Sequence, residues 1–397
     1  MIGFVIAKYN RTSWIELFGD ERISVQYEVI QHCGVEFECV RSFSFSGNDD
    51  EKKPLIVFLS GAAKRQDRTI PLFHRWSWQE SLKDYHTAFI SDPTLNLDDN
   101  LILGWYTGNE DIDYTESLSN LILSWCLSLN LNLNQVIIAG SSGGGFAALH
   151  LASLLPGVTA FVENPQTVTT EYLRQEVEEH LRVCFPNMTP AKEKNNFRLN
   201  VMKRIDIQNF YPRFYYSQNL RDGFHVRNHY RPFLEHFEQN SNHTAFKQKF
   251  LLYYSDKGHN GVRSKDEFLI DLESCLRWSQ NIGLEKNCAF IDCRGKPKLR
   301  LNAEMRANAT KRGSKYGMFT VIFVTEDSDT ILENETQLRY SSSAGWFKYI
   351  EAKTSSFTAS ASCTIPSNID AVMIRFRGWG EFPIEFDGEI SHTLTEI

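Results

Sequence analysis

Fifteen residues, Val136 to His150, limit what this chain can become. Val136-Ile137-Ile138-Ala139 is apolar and rich in β-branched residues, as a strand buried on both faces is. Gly140-Ser141-Ser142-Gly143-Gly144 follows and fits G-x-S-x-G, and Gly145 to Leu149 then carries a small-residue helical pattern. A strand that turns into a helix through one residue forces that residue into sparsely allowed backbone space. The positions two before and two after must be small, because strand and helix pass close together there. Gly140 and Gly144 meet that need, Ser142 is the strained residue, and Gly143 leaves the next amide free to face an oxyanion. Glycine-rich loops also cradle phosphates at helix N-termini. Here no Lys-Ser/Thr pair follows the glycines, and serines interrupt a G-x-G-x-x-G reading.

The flanking sequence supplies the setting such a turn requires. Gly3 to Ala7, Ile23 to Ile30 and Glu36 to Phe45 read as strands leading a mixed sheet, and Asn48 to Lys53 as a polar turn. Pro54 to Ala63 is a continuous apolar run ending at Gly61, the pattern of a central parallel strand. Thr87 to Ser91 predicts another strand, stopped by Asp92-Pro93, with Asp92 capping or turning. Thr115 to Leu129 has helical spacing, and Val158 to Glu163 is the strand after the serine turn. This alternation implies right-handed βαβ crossovers. Residues 167–207 are helical and charged, an insertion of the kind that caps a pocket. Phe210 to Ser217 and Lys249 to Ser255 are the last two strands, and Lys265 to Ile282 is the closing helix.

A serine nucleophile needs a base and an acid. In this arrangement they follow the serine in the order acid, then histidine. His259 lies between Gly258 and Gly261 in a loop after the last strand, where glycine lets the loop bend an imidazole over Ser142. Asp222, after the preceding strand, is the expected acid; Asp256, three residues from His259, is its competitor. The amides of Gly143 and Ala62 are the expected oxyanion hole. Ser141, Arg75, Trp76 and His225 are expected to touch substrate. Arg65, Arg68, His74, Arg75, Trp76 and Trp78 crowd one loop, which reads either as an aromatic-anchored fold or as a polar rim for a sugar or an anion. His225 and His229 have the i, i+4 spacing of helical metal ligands, but the Glu of H-E-x-x-H is missing, so no metal and no cofactor is expected.

Gly140–Gly144, Ser60–Ala62, Asp222 and His259, in that order, resemble the α/β-hydrolase superfamily of serine esterases and acyltransferases. Ser60 stands where many members carry His, which leaves the backbone role of Ala62 intact. Ser91-Asp92-Pro93-Thr94, Gly104-Trp105-Tyr106, the serine turn and Asn164-Pro165-Gln166-Thr167 are also similar to bacterial hydrolase-like proteins associated with glycan assembly. More remotely, the chain is similar to accessory-secretion glycan O-acetyltransferases, which pair a hydrolase domain with a β-sandwich. The resemblance covers residues 50–283. It implies an α/β-hydrolase mixed sheet flanked by helices with a helical cap, and an acyl-enzyme formed on a carbohydrate or other small polar ester. Water or a sugar hydroxyl would resolve that acyl-enzyme. A hydrolase fold that has lost its chemistry and serves binding or assembly in polysaccharide biosynthesis is the alternative.

Past Gly283 the helical pattern stops and short alternating runs begin, so residues 1–283 and 284–397 are expected to be a hydrolase domain and an all-β sandwich. Trp346, Phe347 and Trp379 either stack on sugars or pack in the core of a bracing module. The net charge of −7, with lysines and arginines dispersed, argues against nucleic-acid binding. Eight cysteines without metal-type spacing fit reduced thiols and a cytoplasmic location. The start of the sequence lacks a basic region and a long apolar stretch, so no signal peptide and no membrane span are expected.

Overall fold

The computed structural model describes residues 13–15, 25–43, 53–63, 65, 70–189, 193, 196–239, 247–309, 316–325, 333–352, 354–380 and 383–397. The expected strand Gly3 to Ala7, most of the polar turn at Asn48 to Lys53, and Arg68 lie outside them. Among the described residues, nine strands form the main sheet: β1 (Ser13–Ile15), β2 (Val25–His32), β3 (Val35–Ser42), β4 (Leu55–Leu59), β5 (His86–Ile90), β6 (Val136–Ser141), β7 (Thr159–Glu163), β8 (Arg213–Asn219) and β9 (Gln248–Tyr253). Their order is β1-β2-β3-β5-β4-β6-β7-β8-β9. β1, β2 and β3 pair antiparallel, and β3 meets β5 antiparallel. From β5 through β9 every pairing is parallel. The crossed β5-β4 pair and the antiparallel leading edge give the mixed sheet of an α/β-hydrolase.

β4, β5 and β7 are buried at every residue, which explains their unbroken apolar runs. Helices α1 (Tyr114–Ser128) and α2 (Gly143–Leu154) cover one face, and α2 is buried throughout. Two further helices, α3 (Arg174–Cys184) and α4 (Val201–Gln208), lie in the insertion between β7 and β8. A helix α5 (Arg231–Gln239) precedes β9. The last helix of this part, α6 (Lys265–Ile282), packs Phe268, Leu272, Cys275 and Leu276 on the opposite face, behind a Ser264–Glu267 capping box.

The remaining strands make two antiparallel sheets. β10 (Cys288–Asp292), β12 (Tyr316–Val324), β13 (Arg339–Ser341), β14 (Gly345–Glu351) and β16 (Ala371–Gly378) form one, in the order β10-β16-β12-β14-β13. β11 (Leu299–Asn308), β15 (Ser356–Ile365) and β17 (Glu385–Glu396) form the other. Their inward residues, Leu301, Ala303, Phe319, Cys363, Ile374 and Phe376 among them, share one apolar core, as the sheets of a sandwich do. β17 is the longest strand among the described residues; its apolar residues, Phe386, Ile390 and Leu394, are too sparse to mark it in the sequence.

β16 is buried at all eight positions, which a one-sided sandwich strand would not be. Side chains alternate across a strand. Val372, Ile374 and Phe376 enter the sandwich core, while Ala371 and Met373 join the core that holds Leu118 and Ile122 of α1. Arg375 and Arg377 share the second face. Arg375 Nη2 donates to Asn209 O at 3.0 Å, and Arg377 Nη1 donates to Ile207 O and Gln208 Oε1, so both guanidinium groups cap the end of α4. Phe347 is buried, and Trp346 packs against Phe323 and Tyr340. A cavity of about 570 Å³ remains between α1 and this sheet, bordered by Asp113, Glu116, Asn120, Tyr340, Trp346 and Arg375.

Candidate active site

Ser142 joins β6 to α2 with φ 54° and ψ −121°. For a residue with a Cβ this region is strained and persists only when neighbours fix it. Ser142 N donates to Glu163 O at 3.2 Å, and Ser142 O accepts from Phe146 N at 3.1 Å and from Gln166 N at 3.2 Å. A Cβ on Gly140 would run into the backbone of Gly144, and one on Gly144 into Leu59 O. The first-turn N–H groups of α2 lack helical acceptors and face the serine turn.

The loop after β4 lies beside Ser142: the Cβ position of Gly61 is 3.8 Å from Ser142 Cβ. Ser60 N donates to Tyr106 Oη at 2.7 Å, and Gly61 N donates to His74 Nδ1 at 3.1 Å. Among the described residues, Ala62 N has no protein acceptor. The loop thus uses two successive amides for its own shape and leaves the third available.

Asp222 caps the short turn Gly223–His225, and His259 sits in the turn Gly258–Asn260. His259 Nδ1 lies 2.7 Å from Asp222 Oδ2. His225 Nδ1 lies 3.1 Å from Asp222 Oδ1, and its ring stacks on that of His259 at 3.9 Å and 8°. Burial alone would raise the Asp222 pKa; the hydrogen bonds from His225 and His259 outweigh it and hold the carboxyl well below its usual range. Burial lowers the His225 pKa against the pull of Asp222. His225 is therefore a neutral Nδ1–H donor to an ionised carboxylate. Asp256 is exposed and pairs with Arg221 at 3.2 Å.

Asn219 joins the two loops. Its Nδ2 donates to Ser255 O at 2.8 Å and to Gly258 O at 2.7 Å, and its Oδ1 accepts from Ser255 N at 2.9 Å. Nothing in its sequence context marks Asn219 for this task. Asp222, His225 and His259 also form a group whose metal-type ligand atoms lie within 4.8 Å of one another. The Nδ1 atoms of His225 and His259 both face the Asp222 carboxylate, while His225 Nε2 is buried without a hydrogen-bond partner among the described residues. His229 does not join this group; its Nδ1 accepts from Thr167 N at 3.3 Å.

Arg75 forms an ion pair with buried Glu163, and its guanidinium lies 4.3 Å from the Phe268 ring centre and 5.1 Å from that of Trp78. Trp76 opens a short helix, Trp76–Leu82, and packs against the α6-side core. Ser141 ends β6, paired with Glu163. Of the residues expected to touch substrate, His225 adjoins His259, Ser141 adjoins Ser142, and Arg75 is engaged by the protein itself. Ser142 Oγ accepts from Gln166 Nε2 at 3.2 Å and makes no hydrogen bond to His259. Gln166 was present in the sequence only as part of the Asn164–Thr167 run.

No family model matches the chain, and no curated protein matches it. Among solved structures, the chain is similar to the capsule O-acetyltransferase of Neisseria meningitidis serogroup A, at 13% identity and TM-score 0.48, over 65% of this chain and 97% of that one. It is similar to an acetyl xylan esterase from Paenibacillus sp. R4, at 15% identity and TM-score 0.45, over 68% and 88%. It is also similar to an S-formylglutathione hydrolase from Agrobacterium tumefaciens, at 16% identity and TM-score 0.46, over 68% and 99%. The strand order of the main sheet and the serine turn between β6 and α2 make the fold α/β-hydrolase-like. Among the described residues, no helix is long and apolar enough to cross a membrane.

Proposed function

We propose that the protein is a serine esterase or O-acyltransferase that works through an acyl-enzyme on Ser142. The observation that carries this reading is the 2.7 Å contact between His259 Nδ1 and a buried Asp222, in loops that leave the same edge of the parallel strands as Ser142 and its strained backbone. Asp222 holds the Nδ1–H tautomer, so Nε2 of His259 is the free base. That base takes the Ser142 proton as Oγ attacks an acyl carbonyl. The N–H groups of Gly143 and Ala62 receive the oxyanion. His259 then protonates the departing alcohol. Water or an acceptor hydroxyl adds to the acyl-enzyme by the reverse route. Ser142 and His259 are not in hydrogen-bond contact, and in unliganded enzymes such contacts commonly tighten only with substrate. Carbohydrate esters or other small polar esters are the proposed substrates.

Fluorophosphonate labelling with peptide mapping tests the reading. The label is expected on Ser142, and Ser142→Ala is expected to lose both label and short-chain aryl-ester turnover, by roughly 10⁶-fold in kcat, without unfolding. A folded wild-type protein that takes no label leaves binding or assembly as the function.

A further inference from the structure

Gln166 is buried and hydrogen-bonds to Ser142 Oγ, the atom that reacts in the proposed function. Its amide has a defined orientation. Trp105 Nε1 can only donate, and it donates to Gln166 Oε1. The Gln166 NH₂ group must therefore face the other way, toward Ser142 Oγ. Trp105 is held just as firmly. Trp105 and Tyr106 both have positive φ, 54° and 58°, and both are fully buried. Two adjacent non-glycine residues in this region need external support. Asp92 supplies it: Oδ2 accepts from Tyr106 N at 3.0 Å, and Oδ1 from Thr94 N at 2.9 Å. Gly104 lies against Thr94 and Asp92 so closely that a Cβ there would clash with both. From the cap side, His180 packs edge-on against the Trp105 ring at 4.8 Å, and its Nε2 is 2.7 Å from Thr107 Oγ1.

Resting on the serine-hydrolase reading, we propose that Gln166 is a further catalytic residue, donating Nε2–H to Ser142 Oγ, with Trp105 as its positioning residue. The donor acts where charge builds up on Oγ. In acylation, the Oγ–carbon bond forms while the Oγ proton passes to His259 Nε2 and the carbonyl electron pair moves to the oxyanion; collapse then breaks the carbon–oxygen bond to the alcohol, which leaves with that proton. In deacylation, His259 takes a proton from water or an acceptor hydroxyl as its oxygen bonds to the acyl carbon; collapse breaks the Oγ–carbon bond, and its electron pair returns to Oγ with the proton from His259. Gln166 keeps its own protons throughout and stabilises the partial charge in both steps. The same loop reaches the other side of the site, because Tyr106 Oη accepts from Ser60 N and donates to Ile90 O at 2.8 Å. One strained loop therefore braces both the nucleophile's donor and the backbone that leads to Ala62.

The test compares wild type, Gln166→Met, Gln166→Glu, Trp105→Phe and the Trp105→Phe/Gln166→Met double variant. Fluorophosphonate inactivation rates, kcat and KM for an aryl acetate, and unfolding midpoints are measured for each. Gln166→Met is expected to lower the inactivation rate and kcat about 10- to 100-fold, the worth of a hydrogen bond to a charged atom, with KM unchanged. Gln166→Glu is expected to lose at least as much, because its carboxylate can only accept and would claim the Ser142 proton. Trp105→Phe should lose less, and the double variant no more than Gln166→Met, since Trp105 acts through Gln166. Gln166→Met within twofold of wild type, a loss confined to KM, or losses that multiply in the double variant would overturn the proposal. If wild type takes no label, the hydrolase reading fails first, and the contact is tested separately. The Gln166 side-chain amide resonance should then move in Ser142→Ala, and an unmoved resonance overturns the assignment.

Discussion

The proposed nucleophile and the proposed acid–base pair are held by different physics. Ser142 is fixed by backbone: amides and carbonyls of Glu163, Phe146 and Gln166, and the close approach of Gly140 to Gly144. His259 is fixed by side chains: Asp222 beneath it, His225 stacked on it, and Asn219 tying its loop to the next strand. A backbone-held group tolerates no added atom nearby, and its loss is felt as stability. A group held by side chains can lose its alignment while the fold survives.

This contrast is sharpest at Asp222. Asp222→Asn removes the ionised acceptor shared by two imidazoles and is expected to lower kcat about 10⁴-fold, as a wrong tautomer does in serine-protease triads, with a lowered unfolding midpoint but a protein that still folds. Asp256→Asn removes a surface ion pair with Arg221 and is expected to leave kcat within about twofold. Steady-state kinetics on the two variants decides the matter; equal losses would put the acid in the His259 loop.

Gly144→Ala probes the backbone-held side. The new Cβ meets Leu59 O, a main-chain atom with nowhere to move. A loss of roughly 3 kcal/mol or more in urea unfolding is expected. Wild-type stability in this variant would mean that the turn relaxes and is not rigidly held.

The smallest effect is electrostatic and spread across the molecule. Burial lowers the pKa of His32, His86, His150, His180, His225 and His229, with His86 near 4 and both His180 and His229 near 3. Unfolded, these groups protonate near 6.5. Below that pH the unfolded chain binds more protons, so stability falls on acidification. Burial raises Asp92 to about 6, and burial with the neighbouring Asp113 raises Glu116 to about 7. These two oppose the trend, since their stabilising protonated forms are lost as pH rises through those values. Six histidines against two carboxyls leave a net loss between about pH 6.5 and 4. The denaturant midpoint should fall from pH 7.5 to pH 5; a constant or rising midpoint refutes the balance.

The backbone-held half was the legible one. A strained serine demands small neighbours at fixed offsets, so Gly140 and Gly144 announce it locally. The closing helix was expected at Lys265 to Ile282 and is found there, because Ser264 and Glu267 mark its start. The side-chain half was harder to read. Chain order brings Asp222 and His259 to adjacent strand ends, but the contacts of His225 and Asn219 depend on three-dimensional angles that no short spacing encodes. Gln166 shows the limit most clearly. Its role depends on Trp105, sixty-one residues earlier, and on an indole nitrogen that can only donate. For β16 the strand itself is legible at Ala371 to Phe376, but its burial on both faces is not. Its continuous apolar run ends in arginines, and only the structure shows that two different cores claim its two faces.

That doubly claimed strand has a consequence for how the molecule is made. A ribosome delivers the main sheet first, and the strands that cover α1 and the end of α4 follow roughly one hundred residues behind. At roughly 5–20 residues per second, the nascent chain exposes that apolar face for about 5–20 s. Over that interval Leu118 and Ile122 of α1 lack the cover that Ala371 and Met373 give them in the finished fold, and a chain ending before Ala371 would never gain it.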